Sequence, residues 1–177
     1  MTLIWLAIFL GLLSVLNKIL LLLGRKSGWA SGMAIGLLSG FYFWAIGLKI
    51  LAVAELGFFV VMLYGYLLHV SPSKKGMLHI NLVMSALSVF LCYFLFTGYL
   101  TLVEAISSLS FIWGGYLLSS TQKELGWLLF VVAHAATSYA SFHAEQHIFA
   151  ALQVASAIIC IYAAIKYAGL RTHTGPR

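Results

Sequence analysis

Long apolar runs recur along the whole chain, and this pattern restricts the fold more than any other feature. Seven runs fall at residues 2–23, 28–47, 50–70, 78–99, 101–119, 125–142 and 148–168. Several reach the ~20 residues that an α-helix needs to cross a hydrocarbon core of ~30 Å. Charged residues are 8% of the chain, against roughly 25% in a soluble domain. The sequence therefore predicts an all-α, polytopic membrane protein with seven transmembrane helices.

The basic residues lie between these runs and indicate the topology. With seven spans, Lys49 lies in a loop on one side of the membrane and eight basic residues lie on the other. Those eight are Arg25, Lys26, Lys74, Lys75, Lys123, Lys166, Arg171 and Arg177. Because cytoplasmic loops are enriched in Lys and Arg, we expect an outside N-terminus and a cytoplasmic C-terminus in the inner (plasma) membrane. Lys18 lies inside the first run, and we expect its ammonium to snorkel to the interface.

The net charge of +6 does not indicate a nucleic-acid-binding protein, because the basic residues form no stripe with exposed aromatic residues. Cys92 and Cys160 fall inside apolar runs without CxxC spacing, so neither a disulfide nor a zinc site is indicated. The first run lacks a basic segment before it and a small-residue cleavage site, so we interpret it as a retained helix. The bilayer is the expected environment of most of the chain.

An internal repeat emerges when the chain is compared with itself at an offset of 98 residues. The matched residues are Arg25 and Lys123, Gly28 and Gly126, Trp29 and Trp127, Ser39 and Thr137, Phe41 and Tyr139, Glu55 and Gln153, and Tyr64 and Tyr162. The offset spans four helices, an even number, so the two copies enter the membrane in the same orientation. We expect a three-helix bundle at 1–70, a linker helix with its cytoplasmic loop at 71–100, and a second three-helix bundle with a short tail at 101–177. In transporters built from parallel repeats, substrate lies at the repeat interface near the midplane.

Two segments resemble the PnuC-type vitamin transporters, which share their plan with the SWEET sugar transporters. They read GRKSGWASGMAIGLLSGFYFWAIGLKILAVAELGFFVVMLYGY and KELGWLLFVVAH, and the resemblance is clearest over 11–69 and 113–167. Family positions are occupied by Trp29, Gly32, Gly40, Glu55, Tyr64, Gly65, Tyr66 and Trp127. The chain departs from the family at Phe130, where Trp is expected, at His134, where Asn or Asp is expected, at Glu55, which replaces a Gln-type residue, and at His69.

The resemblance implies facilitated diffusion of a water-soluble vitamin precursor by alternating access, made directional by phosphorylation of the substrate inside the cell. Nicotinamide riboside is the leading substrate, followed by thiamine and then by riboflavin or a nucleoside. A proton-coupled cycle through Glu55 stays open as an alternative. We expect no enzymatic activity, no cofactor and no bound metal. Members of the family can assemble as trimers, so a homo-oligomer is a candidate assembly.

Candidate substrate-binding residues follow from the repeat, from membrane depth and from the resemblance. Glu55 lies in the middle of the third run, where a charged side chain is costly and normally faces a cavity or a partner. It either pairs with a cationic substrate or bonds a neighbouring helix, and Gln153 occupies its repeat-equivalent position. His134 either contacts substrate or makes a structural hydrogen bond. Aromatic candidates that can stack a flat ring are Trp29, Tyr42, Tyr64, Trp113, Trp127 and Tyr162, although belts of interfacial tryptophan or simple packing explain such residues equally well.

Other intramembrane polar residues leave alternatives open. Glu104 is either a second cavity group or a solvated carboxylate at a helix end, and Asn17 and Asn81 are expected to bond between helices. Gly32, Gly36 and Gly40, with Gly114 and Gly115, form small-residue series that allow helices to approach closely.

Two functions of another class stay open beside transport. His143 and His147 are four residues apart in HAEQH, which would give a metal-dependent intramembrane enzyme only if further ligands converged on them. This segment more simply predicts a polar outer loop. A membrane subunit without transport activity is the other alternative.

Overall fold

The computed structural model describes residues 2–68, 75–96, 98–119 and 122–173. They form seven α-helices and, within these ranges, no β-strand. The helices are α1 (Thr2–Leu22), α2 (Lys26–Ala45), α3 (Lys49–Leu68), α4 (Lys75–Phe94), α5 (Tyr99–Ser119), α6 (Lys123–His143) and α7 (His147–His173). The all-α prediction is confirmed, and each helix overlaps one of the apolar runs.

Five of these helices are long and apolar enough to cross a membrane. The spans are Leu3–Leu22, Lys49–Leu67, Tyr99–Ser119, Lys123–His143 and His147–Gly169. Helix α2 contains several glycine and serine residues, which lower its hydropathy. The apolar part of α4 is a shorter stretch, Asn81–Phe94. The helices are therefore those of a helical membrane protein, with five clear candidate spans out of seven.

Six helices contact one another in a closed circuit, in the order α1, α2, α3, α5, α6, α7 and back to α1. We call this circuit the ring. Helix α4 lies outside the ring and packs against α3 and α5. Large apolar side chains such as Trp5, Phe41 and Tyr93 remain exposed on the outer surface, as expected of a surface that faces lipid.

The predicted close approach of helices is confirmed at Gly32, Gly36, Gly114 and Gly115, whereas Gly40 leaves more room. A Cβ on Gly36 would lie 2.9 Å from the carbonyl oxygen of Glu55, and one on Gly32 would lie 2.6 Å from the sulfur of Met62. These contacts bring α2 and α3 together. On α5, Gly114 packs against the Phe130 ring and Gly115 against Val61, so small residues set the spacing to both neighbouring ring helices.

Two short turns, between α2 and α3 and between α6 and α7, lie at the same end of the ring. They are joined by the hydroxyl of Tyr42, which donates to Oε1 of Gln146 at 3.2 Å. We call this end the turn end. Each turn contains one residue with positive φ, Gly47 at 86° and Glu145 at 60°.

The backbone hydrogen bonds of the two turns follow the same pattern. In the first turn, Ile46 N–H donates to Tyr42 O, Gly47 N–H to Trp44 O and Leu48 N–H to Phe43 O; in the second, Ala144 N–H donates to Ala140 O, Glu145 N–H to Phe142 O and Gln146 N–H to Ser141 O. Each bond of the second turn is displaced by 98 residues from its counterpart in the first.

Some sequence expectations fall on positions outside the described residues. These are the predicted division between the first bundle and the linker at residue 70, the family departure at His69, Lys74 among the topology signals, and Arg177 in the tail.

Candidate functional site

A small cavity of about 20 Å³ lies inside the ring. This is room for about one water molecule. All six ring helices contribute to its wall, and the described side chains of α4 do not. The wall consists of Leu10, Ser14 and Lys18 from α1, Ile35, Ser39 and Phe43 from α2, Glu55 and Phe58 from α3, Phe111 from α5, His134 and Thr137 from α6, and Phe149 and Gln153 from α7.

Glu55 reaches this cavity from α3 and is 5% exposed. Its Oε2 atom has no hydrogen-bond partner among the described residues. Gly36 of α2 packs against the backbone of Glu55 and has no side chain to offer it. An unpartnered carboxylate oxygen in such a place is costly, so Glu55 is the side chain of the wall that most requires a partner.

Lys18 also lines the cavity, which corrects our expectation that its ammonium would reach the interface. The side chain is 1% exposed. Its Nζ donates to Oδ1 of Asn17 at 2.9 Å and lies 5.0 Å from the centre of the Phe130 ring. Helix α1 turns this position toward the ring interior, so the stem cannot extend along lipid to the surface.

Lys18 and Glu55 both line the cavity but do not form a direct ion pair. The cavity wall thus includes one basic and one acidic side chain that are not in direct contact. A charged side chain within an apolar helix is costly, and this signal marks Lys18 in the sequence as clearly as it marks Glu55.

His134 and Gln153 meet on the other side of the cavity. Nδ1 of His134 lies 2.6 Å from Oε1 of Gln153, and both residues are buried. His134 therefore makes a structural hydrogen bond to α7, while its Nε2 has no partner within the described ranges. Its ring packs edge-on against Phe111 at a centroid distance of 5.0 Å.

Aromatic side chains close the cavity on both sides. Toward the turn end lie Tyr42, Phe43 and Phe149, which we call the outer plug; Phe43 and Phe149 are 5.7 Å apart and belong to α2 and α7, which are not neighbours in the ring. On the opposite side lie Phe58, Phe111 and Phe130, which we call the inner plug. Each plug joins helices across the ring interior. The inner plug was not predicted from the sequence, since phenylalanine is common in apolar helices and these three share no spacing.

Trp29 and Trp127 lie together at a second cavity, at the end of the ring away from the turns. This cavity measures about 70 Å³, and its wall also includes Lys123 and Tyr167. Both tryptophans are buried, at 6% and 1% exposure, so neither forms an interfacial belt facing lipid. The indole N–H of Trp127 has no partner among the described residues.

Three predicted site residues lie away from both cavities. Tyr162 is 61% exposed on the outer surface. The indole N–H of Trp113 donates to Ser85 of α4 at 2.9 Å, and Tyr64 packs with the cluster that contains Met84 of α4. The structure therefore does not bring these side chains to the ring interior.

The remaining intramembrane polar residues have varied surroundings. Glu104 is neither a cavity group nor solvated: it is buried, and its Oε2 accepts the backbone N–H groups of Ile50 and Leu51 at 3.1 and 3.3 Å. It thus caps the positive N-terminal end of α3 from the neighbouring helix. Asn17 donates to the Gly28 carbonyl and to Ser31 of α2, which confirms interhelical bonding. Asn81 is buried, and its amide has no partner within the described residues.

His143 and His147 lie on different helices, at the end of α6 and the start of α7, and are exposed. Residues 144–146 form the turn between them, as the polar-loop interpretation predicted. The described residues contain no group of three His, Cys, Asp or Glu side chains arranged to hold a metal ion.

The chemistry available in the central cavity is therefore recognition by charge and hydrogen bonding. It offers a carboxylate oxygen, an ammonium, an imidazole nitrogen and the hydroxyls of Ser14, Ser39 and Thr137 between two aromatic plugs. Comparison of the chain with protein-family models, with curated proteins and with solved structures finds no match in any of the three.

Proposed function

We propose that this protein is a membrane transporter that carries a small water-soluble solute through the ring by alternating access. One observation carries the proposal: two charged side chains buried inside the ring, Lys18 and Glu55, line one cavity that six helices enclose. Buried charges of this kind mark substrate and ion pathways in membrane proteins.

The repeat predicted from the sequence forms part of the proposal and has structural support. Helices α3 and α7 begin at Lys49 and His147, and α2 and α6 end at Ala45 and His143, each pair 98 residues apart. The turn hydrogen bonds repeat at the same offset. The ring contacts fit the same correspondence. If α1, α2 and α3 are exchanged with α5, α6 and α7, each contact becomes another contact of the ring; for example, α3 against α5 becomes α7 against α1. These observations favour two parallel three-helix bundles joined by α4.

The proposed topology has seven spans, with α2 and α4 crossing beside the five more apolar helices. Helix α2 packs between α1 and α3, so its glycine-rich face contacts protein and needs less apolar surface than an isolated span. The turn end then lies outside the cell and the cavity of Trp29 and Trp127 on the cytoplasmic side, in keeping with the distribution of basic residues.

Transport through the ring requires movement, because about 20 Å³ is far below the ~300 Å³ of a small-molecule site. We infer that the structure is an occluded state in which both aromatic plugs are closed. Separation of the outer plug would open the cavity to the turn end, and separation of the inner plug would open it toward Trp29 and Trp127. Those two tryptophans would then lie on the exit route and stack a passing ring.

Nicotinamide riboside is the first substrate to test, because the resemblance to PnuC-type transporters names it and because its pyridinium could pair with Glu55. Thiamine, riboflavin and a neutral nucleoside complete the panel. A facilitator would take up its solute without an added ion gradient, whereas coupling through Glu55 would require a proton gradient.

The test is uptake of each radiolabelled solute into proteoliposomes of purified protein, with no ion gradient and with membrane potential held at zero. We expect saturable uptake of one solute, lowered about tenfold in Glu55→Gln, because a hydrogen bond to a charged group is worth ~1.5–3 kcal/mol. Glu145→Gln is the matched control, since it removes the same charge from an exposed turn.

Absence of uptake of every solute, by protein that is monodisperse and correctly inserted, would reject a transporter of this class. A stoichiometric metal found in the same preparation would then favour the enzyme alternative. Equal loss in Glu55→Gln and Glu145→Gln would remove Glu55 from the proposed path.

A further inference from the structure

The charge balance of the central cavity says more about the solute than the presence of Glu55 alone. A wall with an isolated carboxylate would favour a cation. Here Lys18 lines the same cavity, so the two formal charges cancel. A solute with a single positive charge would gain attraction from Glu55 and meet repulsion from Lys18.

The two charges are also separated and incompletely satisfied. Lys18 donates to Asn17, which uses one of the three donors of an ammonium. Oε2 of Glu55 has no partner among the described residues. A purely structural pair would be expected to close to hydrogen-bond distance, because direct contact is what offsets the cost of burying both charges.

The second half of the protein supplies the contrast that makes this arrangement specific. At the positions equivalent to Gly36 and Glu55, it places His134 and Gln153, which satisfy each other at 2.6 Å. That side of the cavity is neutral and already hydrogen-bonded. Charge recognition therefore belongs to α1 and α3.

We propose that the central cavity selects a zwitterionic solute, with its cationic group at Glu55 and its anionic group at Lys18, when the plugs part to admit it. This rests on the proposed transport function and narrows its substrate class. It shifts the expected preference from nicotinamide riboside, a cation, toward solutes of the same shape that also carry a carboxylate.

Two matched pairs of probes isolate the added charge. Nicotinic acid riboside and nicotinamide riboside share a pyridinium riboside and differ in carboxylate against amide. N-methylnicotinate and N-methylnicotinamide make the same comparison on a smaller scaffold. Uptake into proteoliposomes at zero membrane potential is measured for all four with wild-type protein, Lys18→Met and Lys18→Gln. Lys18→Gln is included because it keeps a polar group for Asn17.

We expect wild-type protein to prefer the zwitterion of at least one pair by about tenfold, the effect of one charge-assisted hydrogen bond. Both Lys18 variants should reverse this preference so that the cation is favoured. Lys26→Met, which removes an exposed lysine packed on Tyr66, should keep the wild-type ratio.

Several results would overturn the inference. The ratio of zwitterion uptake to cation uptake by wild-type protein tests it without any variant. Wild-type preference for the cation in both pairs rejects it, as does uptake of thiamine, riboflavin or a nucleoside with no zwitterion transported; in either case the transport function stands. An equal loss of both members of a pair in the Lys18 variants would assign Lys18 a structural role. If wild-type protein transports no solute at all, the proposed function fails with it.

Discussion

The two halves of the ring make corresponding helix contacts and differ in the side chains that they place inside it. Gly36 and Glu55 of the first half correspond to His134 and Gln153 of the second, at the offset of 98 residues. In the first half, the missing side chain brings two helices together and leaves a carboxylate oxygen without a partner. In the second, imidazole and amide satisfy each other. In the proposed repeat, corresponding positions thus place a charged side chain of the cavity in the first half and a satisfied polar contact in the second.

The largest expected effect tests the close approach in the first half. Gly36→Ala should lower stability by ~3 kcal/mol, because its Cβ would press at 2.9 Å on the backbone of Glu55 and Phe59, which cannot move aside easily. Gly40→Ala is the control, since the nearest atom to its Cβ is 3.4 Å away. Both are compared by denaturation in mixed micelles; equal stability of the two variants would show that the helices can separate at Gly36 without cost.

The hydrogen bond of the second half should come next in size. His134→Leu leaves the buried Oε1 of Gln153 without its partner and should cost ~2 kcal/mol. The double variant His134→Leu, Gln153→Leu should recover most of that loss, because two apolar groups leave nothing unsatisfied. A double variant less stable than His134→Leu would mean that the cavity needs its polar wall for folding.

The two turns can be compared because their backbone hydrogen bonds follow the same pattern. Glu145→Gly should raise stability by ~1 kcal/mol, because a left-handed conformation costs a non-glycine residue about that much, and Glu145 has a φ of 60°. Gly47→Glu should lower it by a similar amount. Thermal unfolding in detergent measures both changes, and shifts of the same sign would contradict the equivalence of the turns.

The smallest expected effect concerns the hydrogen bond between Tyr42 and Gln146, which has no counterpart at the positions 98 residues away. Tyr42→Phe removes the hydrogen bond to Gln146 and should cost ~0.6 kcal/mol, an average value for such bonds in membranes. The equivalent positions hold Ala140 and Leu48, which cannot form it. Tyr139→Phe, on a side chain that is 44% exposed, is the control in the same unfolding assay. If Tyr139→Phe lowers stability as much as Tyr42→Phe does, the effect of Tyr42→Phe is not due to the hydrogen bond with Gln146.

Much of the helical architecture followed from the sequence because the apolar runs, the polar breaks and the small residues act locally. The close approach at Gly32 and Gly36 was predictable, since only glycine leaves this space. Matched rare residues also indicated which positions are equivalent, and Glu55 and Gln153 do line one cavity.

The interior of the ring was harder to predict because it depends on which face each helix turns inward. Lys18 looked like an interfacial lysine from its position near a helix end, yet α1 directs it to the cavity. Tyr162 matched Tyr64 in sequence but is exposed on the outer surface. Glu104 could not be assigned either, since its capping of α3 depends on the packing of helices 50 residues apart in the chain.

Among the described residues, helix α4 contacts the ring at α3 and α5 only and contributes nothing to the cavity wall. In the proposed topology its task is to return the chain across the membrane so that the second bundle enters in the same direction as the first. If the chain is divided within residues 69–74 and the two pieces are co-expressed, all six helices that enclose the cavity are still present. The protein should therefore assemble from two polypeptides, one that carries Lys18 and Glu55 of the cavity and one that carries His134 and Gln153.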